Sequence, residues 1–376
     1  MLEFVEERVK TPDIKVVGLG GAGCNAVTRM VEQGLRGVDL LGLNTDVQDL
    51  THCLAAKKMQ IGIELTKGMG SGGIPDIGRR AAEEDREKIE EVLEGADMVF
   101  ITAGMGGGTG TGASPVVAKI AKEFGALTVA IVTKPFEFEG KRRMNVAEQG
   151  IDELRREVDT VICIANQRLL AIVGKQTPIG EAFRQADQVL YHATRGISDL
   201  ITEPGLVNLD FADVRTVMLE GSDAFMGTGI GNGENRARDA AEQAICCPLL
   251  EDISITGAKG LLVNISGGKD LTLFEASDAA TVIKEAAGNE ANVLWGVMVN
   301  EEADGDVRVT VIATGIGHGK GLDRLAEIPS FSKEDLERPT FKRRAKPEEK
   351  PDSPKWIPLD PEDLETPTFI RKRNEY

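Results

Sequence analysis

The chain has few aromatic rings, few histidines and a shortage of positive charge. Phe, Trp and Tyr make up 4% of 376 residues, so its cores must be built from aliphatic side chains and alanine. Lys and Arg number 44 against 61 Asp and Glu, a net charge of −17. That balance argues against a general nucleic-acid or membrane-surface binder, and any anionic ligand must be met by local groups. The three histidines, 52, 192 and 318, are far apart and suggest no zinc site. Five cysteines (24, 53, 163, 246, 247) show neither metal nor disulfide spacing, a pattern that suits a reducing cytoplasm. Cys246 and Cys247 read most simply as a buried pair of small residues. No signal peptide and no apolar run of 18 or more residues occurs, so no segment is expected to enter a membrane. The lysine of a P-loop is missing too, because G-x-x-x-x-G-K-[ST] occurs nowhere.

Glycine is abundant instead. Six of the ten residues from Ala103 to Gly112 are glycine. The run follows an apolar stretch, 96–102, that reads as a short buried strand. It precedes 113–124, where apolar residues recur at helical spacing. A glycine-rich turn between strand and helix is a phosphate cradle. Glycine permits positive φ and lets a ligand approach the backbone, and the helix start supplies N–H groups and a favourable dipole. Gly104, Gly106, Gly107, Gly108, Thr109 and Gly110 are therefore candidate phosphate contacts. A merely flexible loop would not need such a run between two apolar elements.

A second turn lies near the start. Residues 14–20 read as a strand entering Gly20, Gly21, Ala22, Gly23, Cys24 and Asn25, then a helix to about Gly34. Gly18, Gly20 and Gly23 form G-x-G-x-x-G, and Asp46 after the next strand could bond a ribose, as in a dinucleotide-binding fold. That alternative leaves the run at 104–112 unexplained, whereas a triphosphate held between two turns needs both. Asn25 either contacts phosphate or caps the helix. A third cluster, 68–75, precedes a charged helix expected over 76–94, and three glycine turns after strands suggest one rim. The alternation of strand and helix to residue 164 predicts a mostly parallel α/β sheet.

Farther on, Glu139 could bond ribose hydroxyls and Arg143 a phosphate, although a mobile loop of mixed charge is the plainer reading. Asn166, Phe183 and Asp187 follow near a strand end and along a long helix, 178–200. Phe183 can stack on a base, and Asp187 can accept from a guanine N1–H and 2-amino group. In isolation Phe183 reads as core and Asp187 as a solvated face. Asn208, Asp210 and Asp213 offer polar groups to orient a water near a γ-phosphate. The plainer reading makes Asp210 a helix N-cap with Asp213 in the first turn.

Gly-Gly-Gly-Thr-Gly-Thr-Gly at 106–112 resembles the signature loop of the tubulin/FtsZ superfamily of GTPases. Asn-Leu-Asp-Phe-Ala-Asp-Val-Arg at 208–215 is similar to the synergy loop of its FtsZ branch. The likeness runs from about 14 to 316 and takes in 20–25, 44–46, 135–140 and 233–237. It implies GTP/GDP with Mg²⁺ held mainly by phosphates, guanine recognition through Asp187 and Asn166, and contacts from Glu139 and Arg143. It also implies head-to-tail self-assembly into the cell-division filament. There Asn208, Asp210 and Asp213 complete the neighbouring subunit's pocket, in the cytoplasm at mid-cell. Ile74 stands where the family usually has Asn, and Cys24 where a polar residue is more usual.

The expected organisation is a flexible 1–13, a Rossmann-like GTP-binding domain over 14–177, a central helix over 178–203, and an α+β domain over 204–318. A disordered linker follows over 319–376. Eight of the 15 prolines fall between 329 and 367, among dense mixed charge. Within it Asp335 opens a ten-residue pattern that returns at Asp363 with seven identities. The pattern resembles the family's C-terminal peptide, which docks on membrane-tethering division adaptors. Pro339, Phe341, Pro367 and Phe369 are then candidate partner contacts, and two copies imply bivalent docking.

Overall fold

The computed structural model describes residues 11–316, apart from 172–173, 175, 204, 206, 208, 249–253, 289 and 300–304. The chain divides into Met1–His318 and Gly319–Tyr376, and every described residue lies in the first unit. Asn208, the tail pattern with Pro339, Phe341, Pro367 and Phe369, and His318 lie outside the described residues.

Strand β1 (Ile14–Leu19) runs into helix α1 (Gly20–Glu32), then β2 (Asp39–Asn44), α2 (Val47–His52), β3 (Lys57–Gln60) and the short α3 (Ile63–Thr66). Helices α4 (Pro75–Glu84) and α5 (Arg86–Leu93) lead to β4 (Met98–Gly104), α6 (Thr109–Glu123) and β5 (Leu127–Lys134). Next come α7 (Lys141–Glu157), β6 (Thr160–Ala165), α8 (Asn166–Leu169) and the long α9 (Ile179–Thr202). The last part holds α10 (Phe211–Leu219), β7 (Asp223–Gly231), α11 (Arg236–Ile245), β8 (Gly260–Gly267), α12 (Leu273–Ala287), β9 (Asn292–Val299) and β10 (Val307–Thr314).

Among the described residues ten strands form one sheet in the order β3-β2-β1-β4-β5-β6-β7-β10-β8-β9. The first six are parallel, as the strand–helix alternation requires. Only two residue pairs, Val161 with Asp223 and Ile162 with Ala224, join β6 to β7. Beyond that seam β10 pairs antiparallel with both β7 and β8. Alternate residues of β1 feed opposite cores, Val16 one and Val17 the other, so both sheet faces are covered. The chain leaves β1 outward to β2 and β3, then returns beside β1 as β4. The carboxyl ends of β1 and β4 therefore flank the point where strand order reverses, the place where open α/β sheets bind their ligands.

Three expectations are corrected. The helix expected over 76–94 breaks at Asp85, whose buried carboxylate accepts from the Gly62 amide at 2.7 Å and pairs with Lys88. The third glycine cluster follows helix α3, not a strand. Cys246 is exposed at the end of α11 and only Cys247 is buried, so the two are not a buried pair.

Candidate nucleotide site

Both principal glycine turns are shorter than the sequence suggests, because the helices begin inside the glycine runs. Helix α1 starts at Gly20 and α6 at Thr109. Neither has a side-chain cap or an acidic residue in its first turn. Their first amides are thus left to an external acceptor at the positive ends of two dipoles. Asn25 lies well inside α1 and is exposed, which removes the capping alternative.

The two turns touch through glycine. Gly20 has φ of +70°, and a Cβ on it would lie 2.9 Å from the Gly110 amide nitrogen. A Cβ on Gly104 would meet the Ala22 methyl at 2.6 Å. Gly108 backs onto the third cluster, where its Cβ would strike Ser71 and come within 2.8 Å of the Ile74 nitrogen. Gly107 differs from these: a Cβ there meets nothing within 4 Å, so its backbone faces open space. Hydroxyls tie the assembly from beneath. Thr109 Oγ1 lies 2.6 Å from Thr45 Oγ1 and 3.0 Å from Ser71 Oγ, and the Gly106 amide donates to Thr111 Oγ1 at 2.9 Å. Thr45, Ser71 and Thr111 were not among the sequence candidates. The Asn-Thr-Asp stretch at 44–46 was the available signal for the first of them.

Gly23 packs against Gly18 beneath the turn, while Cys24 faces the core, 3.9 Å from the Gly18 carbonyl. The nearest acids behave as structure. Asp46 caps α2 by accepting from the Gln48 amide at 2.8 Å through Oδ1. Asp49 Oδ2 lies where a Cβ on Gly21 would come within 2.7 Å.

Arg143 reaches the second turn. A Cβ on Gly106 would fall 2.7 Å from the Arg143 carbonyl and 2.8 Å from its Cγ. Its guanidinium pairs with Glu139 at 3.0 Å, and Glu139 also accepts from the Phe136 amide at 2.8 Å. Next to them Phe136 and Phe138 stack with centroids 5.0 Å apart, and Phe183 meets Phe136 edge-on at 5.3 Å. Phe183 is 40% exposed, so it is a rim aromatic and not core. Asn166 is 6% exposed at the end of β6, and its buried Oδ1 has no hydrogen-bond partner. An orphaned acceptor there fits a ligand donor. Asp187, one turn beyond Phe183 on α9, is no solvated residue: burial pushes its carboxyl up to about 7 against the pull of Arg29.

The acids of 208–215 lie elsewhere. Asp210 occupies the N-cap position of α10 through its backbone carbonyl, but its side chain accepts no capping bond. Asp210 and Asp213 are exposed. Two residues on, Arg215 donates to the Gly125 carbonyl just past the C-terminus of α6. The glycine turn is at the other end of that helix, and 15 helical residues span about 22 Å. Among the described residues no three His, Cys, Asp or Glu side chains gather as a metal site, and no helix is long and apolar enough to cross a membrane.

Residues 13–174 match the Tubulin/FtsZ family GTPase domain, and 222–317 match the FtsZ family C-terminal domain. The chain belongs to the FtsZ family of tubulin-like GTPases. It is 48% identical, over all of both chains, to the cell division protein FtsZ of Coxiella burnetii. An FtsZ dimer from M. jannaschii superposes with a TM-score of 0.79 at 45% identity, over 83% of this chain and 90% of that one. The fold is shared more distantly with CetZ2 of Haloferax volcanii, solved as a GTPγS-bound protofilament. There the TM-score is 0.69 at 21% identity, over 84% of this chain and 96% of that one. FtsZ proteins bind GTP and GDP.

Proposed function

We propose that this FtsZ-family chain hydrolyses GTP only between subunits, assembling head-to-tail into the filament of the cell-division ring. The observation that carries this is the length of α6. The glycine turn opens its N-terminus, and Arg215, two residues beyond Asp213, reaches Gly125 at the far end. One chain cannot bring Asp210 and Asp213 to its own γ-phosphate without dismantling a buried helix, whereas a second copy stacked above can. The exposure of both carboxylates and the absence of a side-chain cap on Asp210 suit such a role.

In this reading the amides of Gly20, Gly21, Ala22, Gly23, Cys24 and Asn25 share the phosphates with those of Gly104, Gly106, Gly107, Gly108, Thr109 and Gly110. Asn166 and Asp187 read the guanine, Phe183 covers the base, and Glu139 and Arg143 reach ribose and phosphate. The groups around the turns are mainly amides and hydroxyls, so Mg²⁺ is carried mainly by phosphate oxygens. Asp210 and Asp213, with Asn208, orient and polarise the attacking water of the neighbouring subunit's GTP. The GTP-binding domain ends near 177, α9 is the central helix, and 204–318 forms the second domain carrying the acids. The protein works in the cytoplasm at mid-cell. Its tail repeats, 335–344 and 363–372, dock membrane-tethering adaptors, with no membrane insertion and no nucleic acid involved.

Phosphate release from GTP as a function of protein concentration tests the reading. Activity per molecule should climb above a threshold concentration, and Asp213→Ala should bind GTP without turning it over. Flat specific activity would place the catalytic groups within one chain and remove Asp210 and Asp213 from the mechanism.

A further inference from the structure

Two thiols lie beneath the first glycine turn, and nucleotide binding gives their side chains no task. Cys24 is in α1, and Cys53 closes the C-terminus of α2. Both are free thiols, 2% and 1% exposed. The point a Gly42 Cβ would occupy is 2.8 Å from Cys53 Sγ and 3.6 Å from Cys24 Sγ, so glycine on β2 leaves room for both sulfurs together. The Cys53 thiol points at the Cys24 carbonyl at 3.7 Å. Thr28 joins the two segments, donating to the Cys24 carbonyl at 2.8 Å and accepting from the Leu54 amide at 3.1 Å. The neighbouring Cys24 side chain, the Ala55 backbone, Thr28 and Lys58 lower the pKa of Cys53 against its burial, while the neighbouring Cys53 and burial raise that of Cys24. The pair therefore has a nucleophilic and a resolving member. Leu54, the next residue, is half exposed.

We propose that Cys24 and Cys53 form a peroxide-responsive dithiol whose oxidation to a disulfide weakens nucleotide binding at the first glycine turn. The effect on binding rests on the nucleotide reading of that turn. The Cys53 thiolate attacks one oxygen of hydrogen peroxide, and the O–O bond breaks. Hydroxide leaves and is protonated to water, and Cys53 becomes a sulfenic acid. Cys24 gives up its proton and attacks that sulfur, the S–O bond breaks, and a second water leaves. Peroxide gains two electrons, one from each sulfur, and a reducing dithiol reverses the step. Closing the sulfurs to about 2.05 Å draws α2 and α1 together. The start of α1 has no slack to absorb this, because Gly20 abuts Gly110 and Gly21 abuts Asp49.

The test uses the full chain, treated with hydrogen peroxide, alkylated in denaturant and mapped by peptide mass spectrometry, with GTP affinity titrated alongside. A Cys24–Cys53 disulfide should form, and GTP affinity should fall by about tenfold. Dithiothreitol should restore it. Cys53→Ala should bind GTP like the reduced chain and ignore peroxide. Alkylation of both thiols after peroxide would overturn the proposal without recourse to any variant. So would a mapped disulfide with GTP affinity intact, or a Cys53→Ala chain as sensitive as the parent. Failure of the reduced chain to bind GTP would instead bring down the nucleotide reading itself, and with it the effect claimed here.

Discussion

The Arg215 guanidinium and the Gly125 carbonyl meet at the end of α6 farthest from the glycine turn, with both terminal nitrogens 3.4 Å from the oxygen. Arg215 stands two residues beyond Asp213, so this residue of the acidic stretch is tied to the end of α6 opposite the glycine turn of its own chain. A site divided in this way can be complemented. Asp213→Ala keeps its pocket, and Asp187→Ala keeps its acids. Mixed at equal concentration, the two variants should release phosphate faster than the sum of each alone. Activity no greater than that sum would place the acids and the pocket they serve in one chain.

Gly107 and Gly20 should respond differently to alanine. At Gly107 the backbone faces open space with no positive φ, so Gly107→Ala should leave the melting temperature unchanged while its methyl intrudes on the ligand and weakens GTP binding. At Gly20 the positive φ and the Gly110 contact make Gly20→Ala lower stability itself, by about 1–3 kcal/mol. Thermal melts and GTP titrations on the same samples separate the two effects. Equal melting losses would show that Gly107 is packed and not facing a ligand.

Asp187 sets a pH dependence. Its carboxyl is raised by burial from the ordinary 3.8 to about 7. Between those values the folded chain holds a proton that the unfolded chain has lost, so this group's contribution to stability declines as pH rises from 4 through 7. Guanine N–H donors favour the carboxylate, so binding expels the proton. GTP affinity should therefore increase by up to about tenfold per pH unit below 7 and level off above it. Asp187→Asn should bind more weakly and lose the slope. An unchanged slope in that variant would assign the proton to another group.

Phe341→Ala and Phe369→Ala in full-length protein test the duplicated tail pattern. If both copies dock an adaptor, each single change should weaken binding to a multivalent adaptor surface by more than twofold, because avidity multiplies instead of adding. The double change should abolish it. No effect from Phe341→Ala would leave the first copy idle.

The glycine run at 104–112, the parallel alternation around it and the acidic stretch at 208–215 were legible because each is written in contiguous residues. The register of helix starts was not legible, since glycine favours turns in isolation and only the packing of α1 and α6 against the sheet draws Gly20 and Thr109 into their first turns. The opposite fates of Phe183 and Asp187 were hidden for a similar reason. Their exposure depends on what packs beside α9, and no local pattern encodes that.

The sequence by itself determined where backbone could come close to an anion, through residues with no Cβ, and which segments could be buried, through apolar spacing. Tertiary structure decided what those residues meet. Strand order brings the carboxyl ends of β1 and β4 together, so turns 80 to 90 residues apart touch glycine to glycine. It also places Arg215, two residues beyond Asp213, at the other end of α6, because a helix is rigid and about 1.5 Å long per residue. Proximity in a fold is fixed by the topology of the sheet and the length of its helices, and neither can be read from one stretch of chain.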